Sequence, residues 1–243
     1  MQRHTVKLQS FNIDTFSFDE AVDFICQNHG SVVTINPEMI QCAKHNKDFA
    51  NFIKNASLVI PDGIGVEIGL KILGHNVRRI AGIEFAKRLI EEYSKSSAPI
   101  AFIGAKPEII EKAVENLKLE IPNLNVCYVQ DGYFKDDERV LEELKNSGAR
   151  LVLVALGSPK QEFFIKEAVK LLPEAVMIGI GGSFDVWSGV VKRAPVIYQK
   201  LGLEWLYRTL KEPKRFKRIF PTLPLFVIKV FKERIFGDGE NNA

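Results

Sequence analysis

Leu151-Val152-Leu153-Val154-Ala155-Leu156, followed at once by Gly157-Ser158-Pro159-Lys160-Gln161, decides the fold class. An unbroken apolar run without polar alternation describes a strand buried on both faces, which requires a sheet covered by helices on either side. The Gly-Ser-Pro turn ends that strand and opens a helix expected near 159–172. The same unit recurs on either side of it. Strand-like runs at Thr5–Leu8, Ser31–Ile35, Leu58–Ile60, Ile100–Ile103, Leu124–Val129 and Ala175–Ile180 alternate with helical stretches near 37–55, 64–73, 83–95, 107–120 and 136–147. Within 107–120, Ile109, Ile110, Ala113, Val114 and Leu117 repeat at helical spacing. Ser17-Phe18-Asp19-Glu20 has the form of a capping box and opens a helix expected to stop at Gly30. This alternation predicts an α/β, Rossmann-like fold, doubly wound about a mostly parallel sheet.

With 243 residues, 46% hydrophobic and 26% charged, the chain suits one large α/β domain or one domain with an appendage. The three cysteines, Cys26, Cys42 and Cys127, contain no CxxC pair and exclude a disulfide scaffold. The first residues lack the apolar run of a signal peptide, and no stretch reaches the ~18 apolar residues of a membrane span. A cytoplasmic protein is therefore expected. The net charge of +3 hides an asymmetry: residues 191–243 hold 12 Lys/Arg against 5 Asp/Glu, while the rest is net acidic. Tyr198, Trp205, Tyr207 and five phenylalanines lie in the same basic tail. Basic residues interleaved with aromatics attract a polyanion, a phospholipid surface or a nucleic acid, although packed helices with a solvated basic face read the same way. Residues 1–194 are expected to form the α/β domain, 195–236 an appendage of two or three short amphipathic basic helices punctuated by Pro221 and Pro224, and 237–243 a frayed tail.

Ligands of open α/β sheets lie beyond the carboxyl ends of the strands. Those ends carry Thr34-Ile35-Asn36-Pro37-Glu38, Pro61-Asp62-Gly63-Ile64-Gly65, Gly104-Ala105-Lys106-Pro107, Asp131-Gly132, Gly157-Ser158-Pro159-Lys160-Gln161 and Gly181-Gly182-Ser183. Gly, Ser or Pro at a helix opening leaves free N–H groups and a favourable dipole for an anion such as a diphosphate. Asp62 has two readings: a general base at a desolvated strand end, or an N-cap of the helix after it. P-loop, GxSxG, HExxH and Cys/His cluster motifs are missing, so no metal and no cofactor is implied. Gly63, Gly65 and Gly69, with Glu84 further on, loosely match a dinucleotide fingerprint and keep a Rossmann-type oxidoreductase as a rival reading.

Taken in order, Thr34–Glu38, Pro61–Gly65, Arg79-Ile80-Ala81-Gly82, Gly157–Glu162, Gly181–Asp185, Lys192-Arg193-Ala194-Pro195, Leu201–Arg208 and Glu212–Arg215 resemble the WecG/TagA/CpsF family of bacterial glycosyltransferases, glycosyltransferase family 26. The resemblance covers nearly the whole chain. It implies an inverting, metal-independent transferase that moves a sugar from a UDP-sugar to a lipid-diphosphate-linked acceptor. In its best-known members the sugar is N-acetylmannosamine or its uronic acid, the acceptor is undecaprenyl-diphosphate-linked N-acetylglucosamine, and other members add other hexoses in capsule or exopolysaccharide synthesis. Carried onto these motifs, the family's base falls on Asp62, and its diphosphate-contacting arginine falls on Arg79, with Arg78 beside it. Gln161 lies near the donor, and Thr34 and Asn36 match the polar wall of the pocket. The glycine turns at Gly104, Gly157 and Gly182, together with Lys160, complete the expected substrate-binding set. The basic appendage, with Arg208, Lys211, Arg215 and Arg218, is implied to serve the acceptor diphosphate and an anionic membrane surface. The protein is thus expected to lie peripherally on the inner face of the cell membrane, without a nucleic-acid partner, its oligomeric state left open.

Overall fold

The structure, a computed structural model, describes residues 2–211 and 213–237, with side chains for all of these except 200 and 208–221. Two short strands come first, β1 (Thr5–Leu8) and β2 (Phe11–Asp14), paired as an antiparallel hairpin. A six-stranded sheet follows: β3 (Gly30–Ile35), β4 (Leu58–Pro61), β5 (Ile100–Gly104), β6 (Val126–Gln130), β7 (Leu151–Ala155) and β8 (Val176–Gly179). The strand order is β4-β3-β8-β7-β5-β6, and every described pairing is parallel.

Strand side chains alternate between two cores, except at a register shift in β6, where Cys127 and Tyr128 pack against the same one. Val32, Ile60, Phe102, Leu153 and Ile178 face one side, with α1 (Phe18–Asn28), α5 (Gly82–Ser94), α6 (Pro107–Glu120) and α9 (Ser183–Trp187) packed over them. Val33, Val59, Ile103, Val154 and Met177 face the other, beneath α2 (Pro37–His45), α3 (Lys47–Lys54), α7 (Asp137–Asn146) and α8 (Lys160–Leu171). This is the doubly wound α/β architecture expected from the run at 151–156. The capping box is formed: Ser17 Oγ accepts from the Glu20 N–H while the Glu20 carboxylate accepts from the Ser17 N–H. α1 ends at Asn28, and Gly30 already belongs to β3. The stretch 37–55 is two helices, because Asn46 ends α2 and its Oδ1 accepts from the Phe49 N–H to start α3.

Two features differ from expectation. The hairpin strand β2 carries no turn signal, since Gln9 and Ser10 occupy φ of 47° and 68° where Asn-Gly is usual. Tertiary bonds hold that turn instead: the Gln9 N–H donates to the Glu233 carboxylate at 3.0 Å, and Gln9 Nε2 donates to the Phe226 carbonyl. The appendage also differs. After α10 (Val196–Lys200) and α11 (Glu204–Lys211), a single helix, α12 (Pro213–Phe236), runs through Pro221 and Pro224. Each proline removes one helical N–H donor. The helix persists because Phe226 and Val230 are fully buried in the core shared with α2 and with α4 (Gly63–Ile72). A Cβ on Gly69 would stand 3.0 Å from the Phe226 ring, and one on Gly65 would stand 2.9 Å from Leu223. These two glycines, one turn apart on α4, let α12 approach closely, which accounts for them without a dinucleotide.

Candidate active site

A cavity of about 390 Å³ opens at the carboxyl ends of β3, β4 and β8. β3 and β8 are neighbours in the sheet, although they come from opposite ends of the chain's winding, and such a switch point is where α/β sheets hold ligands. Thr34, Asn36, Asp62, Arg79, Gln161 and Gly182 all line this cavity. Gly104, Gly157 and Lys160 lie outside its lining. Gly104 closes β5 with its α-carbon against the Ala155 backbone, and the Lys160 ammonium sits 5.0 Å from the centre of the Phe134 ring, in a more open hollow between α7 and α8. Of the two neighbouring arginines, Arg78 is exposed and only Arg79 lines the cavity. Arg208, Lys211, Arg215 and Arg218 fall on α11 and α12 where side chains lie outside those described.

Asp62 stands at the N-cap position of α4, where its side chain makes none of the usual capping bonds to the second or third N–H of the helix. Burial pushes its carboxyl up to about 6, against the N–H groups of Gly63 and Gly82 and the Arg79 charge, which pull it down, while the Glu204 carboxylate adds to the rise. A carboxylate held there is ionised at neutral pH yet basic enough to take a proton, which the N-cap alternative does not require. Asn36, by contrast, is a cap: its Oδ1 accepts from the Met39 N–H at 3.0 Å. Its amide nitrogen keeps its two donors.

The appendage builds one wall of the cavity. Gly202, Glu204, Trp205, Thr222 and Leu223 belong to the lining. α10 is tied down where the Arg79 guanidinium donates to the Gln199 carbonyl. Arg193 then bridges Glu84 at 2.7 Å and Glu204 at 3.3 Å, joining α5 to α11. Glu84, half of the dinucleotide reading, is therefore engaged in an ion pair. Arg193 and Glu204 lie in the quoted motifs but carry no local signal for this ion pair, and Trp205, expected as an aromatic of the basic tail, lines the cavity. Among the described residues no three His, Cys, Asp or Glu side chains converge in a metal-binding group.

The fold and this strand-end cavity define a doubly wound α/β protein with a ligand-sized cavity at its switch point. The chain belongs to the glycosyl transferase WecG/TagA/CpsF family, whose model matches residues 6–239. A Bacillus spizizenii (strain ATCC 23059 / NRRL B-14472 / W23) protein named N-acetylglucosaminyldiphosphoundecaprenol N-acetyl-beta-D-mannosaminyltransferase is 38% identical over 211 residues, 86% of this chain and 82% of that one. A Bacillus subtilis (strain 168) protein of the same name is 36% identical over 232 residues, 95% of this chain and 90% of that one. The protein is a glycosyltransferase, and the oxidoreductase reading is not favoured.

Proposed function

We propose that the enzyme transfers N-acetylmannosamine, with inversion, from a UDP-sugar to N-acetylglucosaminyl-diphospho-undecaprenol at the inner face of the cell membrane. The observation that carries this is Asp62: a carboxyl raised to about 6 by burial, in a strand-end cavity of a chain whose relatives are named for that transfer. The acceptor hydroxyl oxygen bonds to the anomeric carbon as the bond to the UDP oxygen breaks, and Asp62 takes the hydroxyl proton. Inversion needs one base on the face opposite the leaving group, so one carboxylate suffices. The departing diphosphate gathers negative charge, which Arg79 and the N–H groups at the glycine turns around Gly63 and Gly182 are suited to stabilise without a metal. The tail cations Arg208, Lys211, Arg215 and Arg218 are assigned to the acceptor diphosphate and the membrane.

Among the described residues no helix is long and apolar enough to cross a membrane. α12 nonetheless presents Leu225, Ile228, Phe231 and Ile235, 49–69% exposed, on the face opposite Phe226 and Val230, with Lys232 among them. A basic, apolar outer face of this kind suits shallow insertion among headgroups.

Purified enzyme is assayed with several UDP-hexoses against a lipid-diphosphate-GlcNAc analogue, with and without EDTA. The expected result is transfer from UDP-N-acetylmannosamine, undiminished by EDTA, and salt-sensitive cosedimentation with anionic vesicles. Transfer from another UDP-hexose alone would replace the donor, and loss of activity in EDTA restored by Mg²⁺ would overturn the metal-independent route.

A further inference from the structure

Among the described residues the charged side chains that line the cavity are Glu38 on α2, Asp62, Arg79 and Glu204 on α11. Three carboxylates thus stand against one guanidinium where a donor diphosphate is to bind. Like charges in a site partly closed to water repel far more than in bulk solvent, so this wall calls for a further cation.

Arg193, outside that lining, supplies it. Its guanidinium lies along Glu204, with Nη2 3.3 Å from Oε1 and Nε 3.5 Å from Oε2, and Nη2 also reaches Glu84 of α5 at 2.7 Å. The Arg193 and Glu204 side chains are 25% and 18% exposed, whereas that of Glu84 is 52% exposed. Water therefore screens the Glu84 contact more than the Glu204 contact, and Glu84 serves chiefly to hold the guanidinium in place. The chain at Arg193 is anchored as well, since Ala194 is buried and its carbonyl accepts from Gln199 Nε2 at 2.6 Å. Arginine stays charged at any working pH, so the compensation is constant.

We propose that Arg193 is a positioning residue that acts through Glu204: it holds and neutralises that carboxylate at the cavity wall, so that the site admits a nucleotide diphosphate and Asp62 works beside a compensated charge. The inference rests on the nucleotide-sugar reading of the cavity. A mere clasp between α5 and α11 would behave differently. Breaking a clasp from either end does the same harm, whereas charge compensation gives the two ends opposite signs. Arg193→Gln leaves a bare carboxylate beside the diphosphate and Asp62, while Glu204→Gln leaves an uncompensated cation.

The test measures the Kd of UDP by titration calorimetry in low salt, and the pH dependence of kcat/KM, in wild type, Arg193→Gln, Glu204→Gln and the double variant. Arg193→Gln is expected to weaken UDP binding about fivefold and to move the acid limb of the profile to higher pH. Glu204→Gln is expected to tighten UDP binding by a few-fold, roughly, and to move the limb to lower pH. The double variant, with both charges gone, should return to within about twofold of wild type. Weaker UDP binding in both single variants, an unchanged Kd in Arg193→Gln, or a double variant no better than Arg193→Gln would each overturn the inference. Thermal unfolding checks folding. If Arg193→Gln does not fold, tighter UDP binding in Glu204→Gln with a double variant like wild type supports the inference, and any other pairing overturns it. Wild-type enzyme that fails to bind UDP sinks the nucleotide-sugar reading and this inference with it. Wild type that binds UDP while the single variants move together, or not at all, sinks this inference alone.

Discussion

Asp62→Asn separates the chemistry of the carboxyl from its shape. The ordinary value of the group is 3.8 and burial raises it to about 6, so in this pH range the native state holds the proton more tightly than the unfolded chain. The contribution to stability is therefore fully present below about 3.8 and is lost as pH rises through about 6. Between pH 5 and 8 only the last unit of that titration falls, worth on the order of 1 kcal/mol, or a few degrees in melting temperature for a chain of this size. Asparagine keeps the size and an accepting oxygen for the Gly63 and Gly82 N–H groups but has no proton to lose. Scanning calorimetry at pH 5 and pH 8 should therefore show a smaller decline for the variant than for wild type. In initial-rate assays, wild-type kcat/KM should rise with pH to a plateau, its midpoint about 6. Turnover of Asp62→Asn should fall roughly 100-fold or more, with UDP binding nearly unchanged. A variant with near-normal turnover, or a wild-type rate flat from pH 5 to 7, would refute the reasoning.

Removing the Glu204 charge in Glu204→Gln should lower the Asp62 value, so the acid limb of the kcat/KM profile should move to lower pH, and a limb that stays put would separate the two carboxyls. Arg79→Ala should weaken donor use by about 1.5–3 kcal/mol, seen as a higher donor KM, because the proposed charge-assisted contact to phosphate would be lost. Phe226→Ala should destabilise by about 3–5 kcal/mol in denaturant melts, since the ring is fully buried against Gly69. The same variant should lose activity near its melting range, because Thr222 and Leu223 reach the cavity from the same helix.

Local chemistry was readable along the chain. The doubly apolar run at 151–156, the capping box at Ser17–Glu20 and the spacing of Ile109 to Leu117 each act within about ten residues, so they announced strands and helices on their own. The position of Asp62 after Leu-Val-Ile-Pro likewise marked a strand end. Only the tertiary structure decided the order β4-β3-β8-β7-β5-β6, which brings Thr34, Asp62 and Gly182 to one cavity and leaves Gly104 and Lys160 outside it. It also carried α12 through two prolines and held the turn at Gln9 and Ser10 without glycine. In both cases contacts across more than 200 positions, Gln9 to Glu233 and Gln9 to Phe226, outweigh the local preference. The pairing of Gln161 with Glu162 is adjacent in sequence, yet the room for the amide depends on Gly179 at the end of β8, which periodicity does not encode.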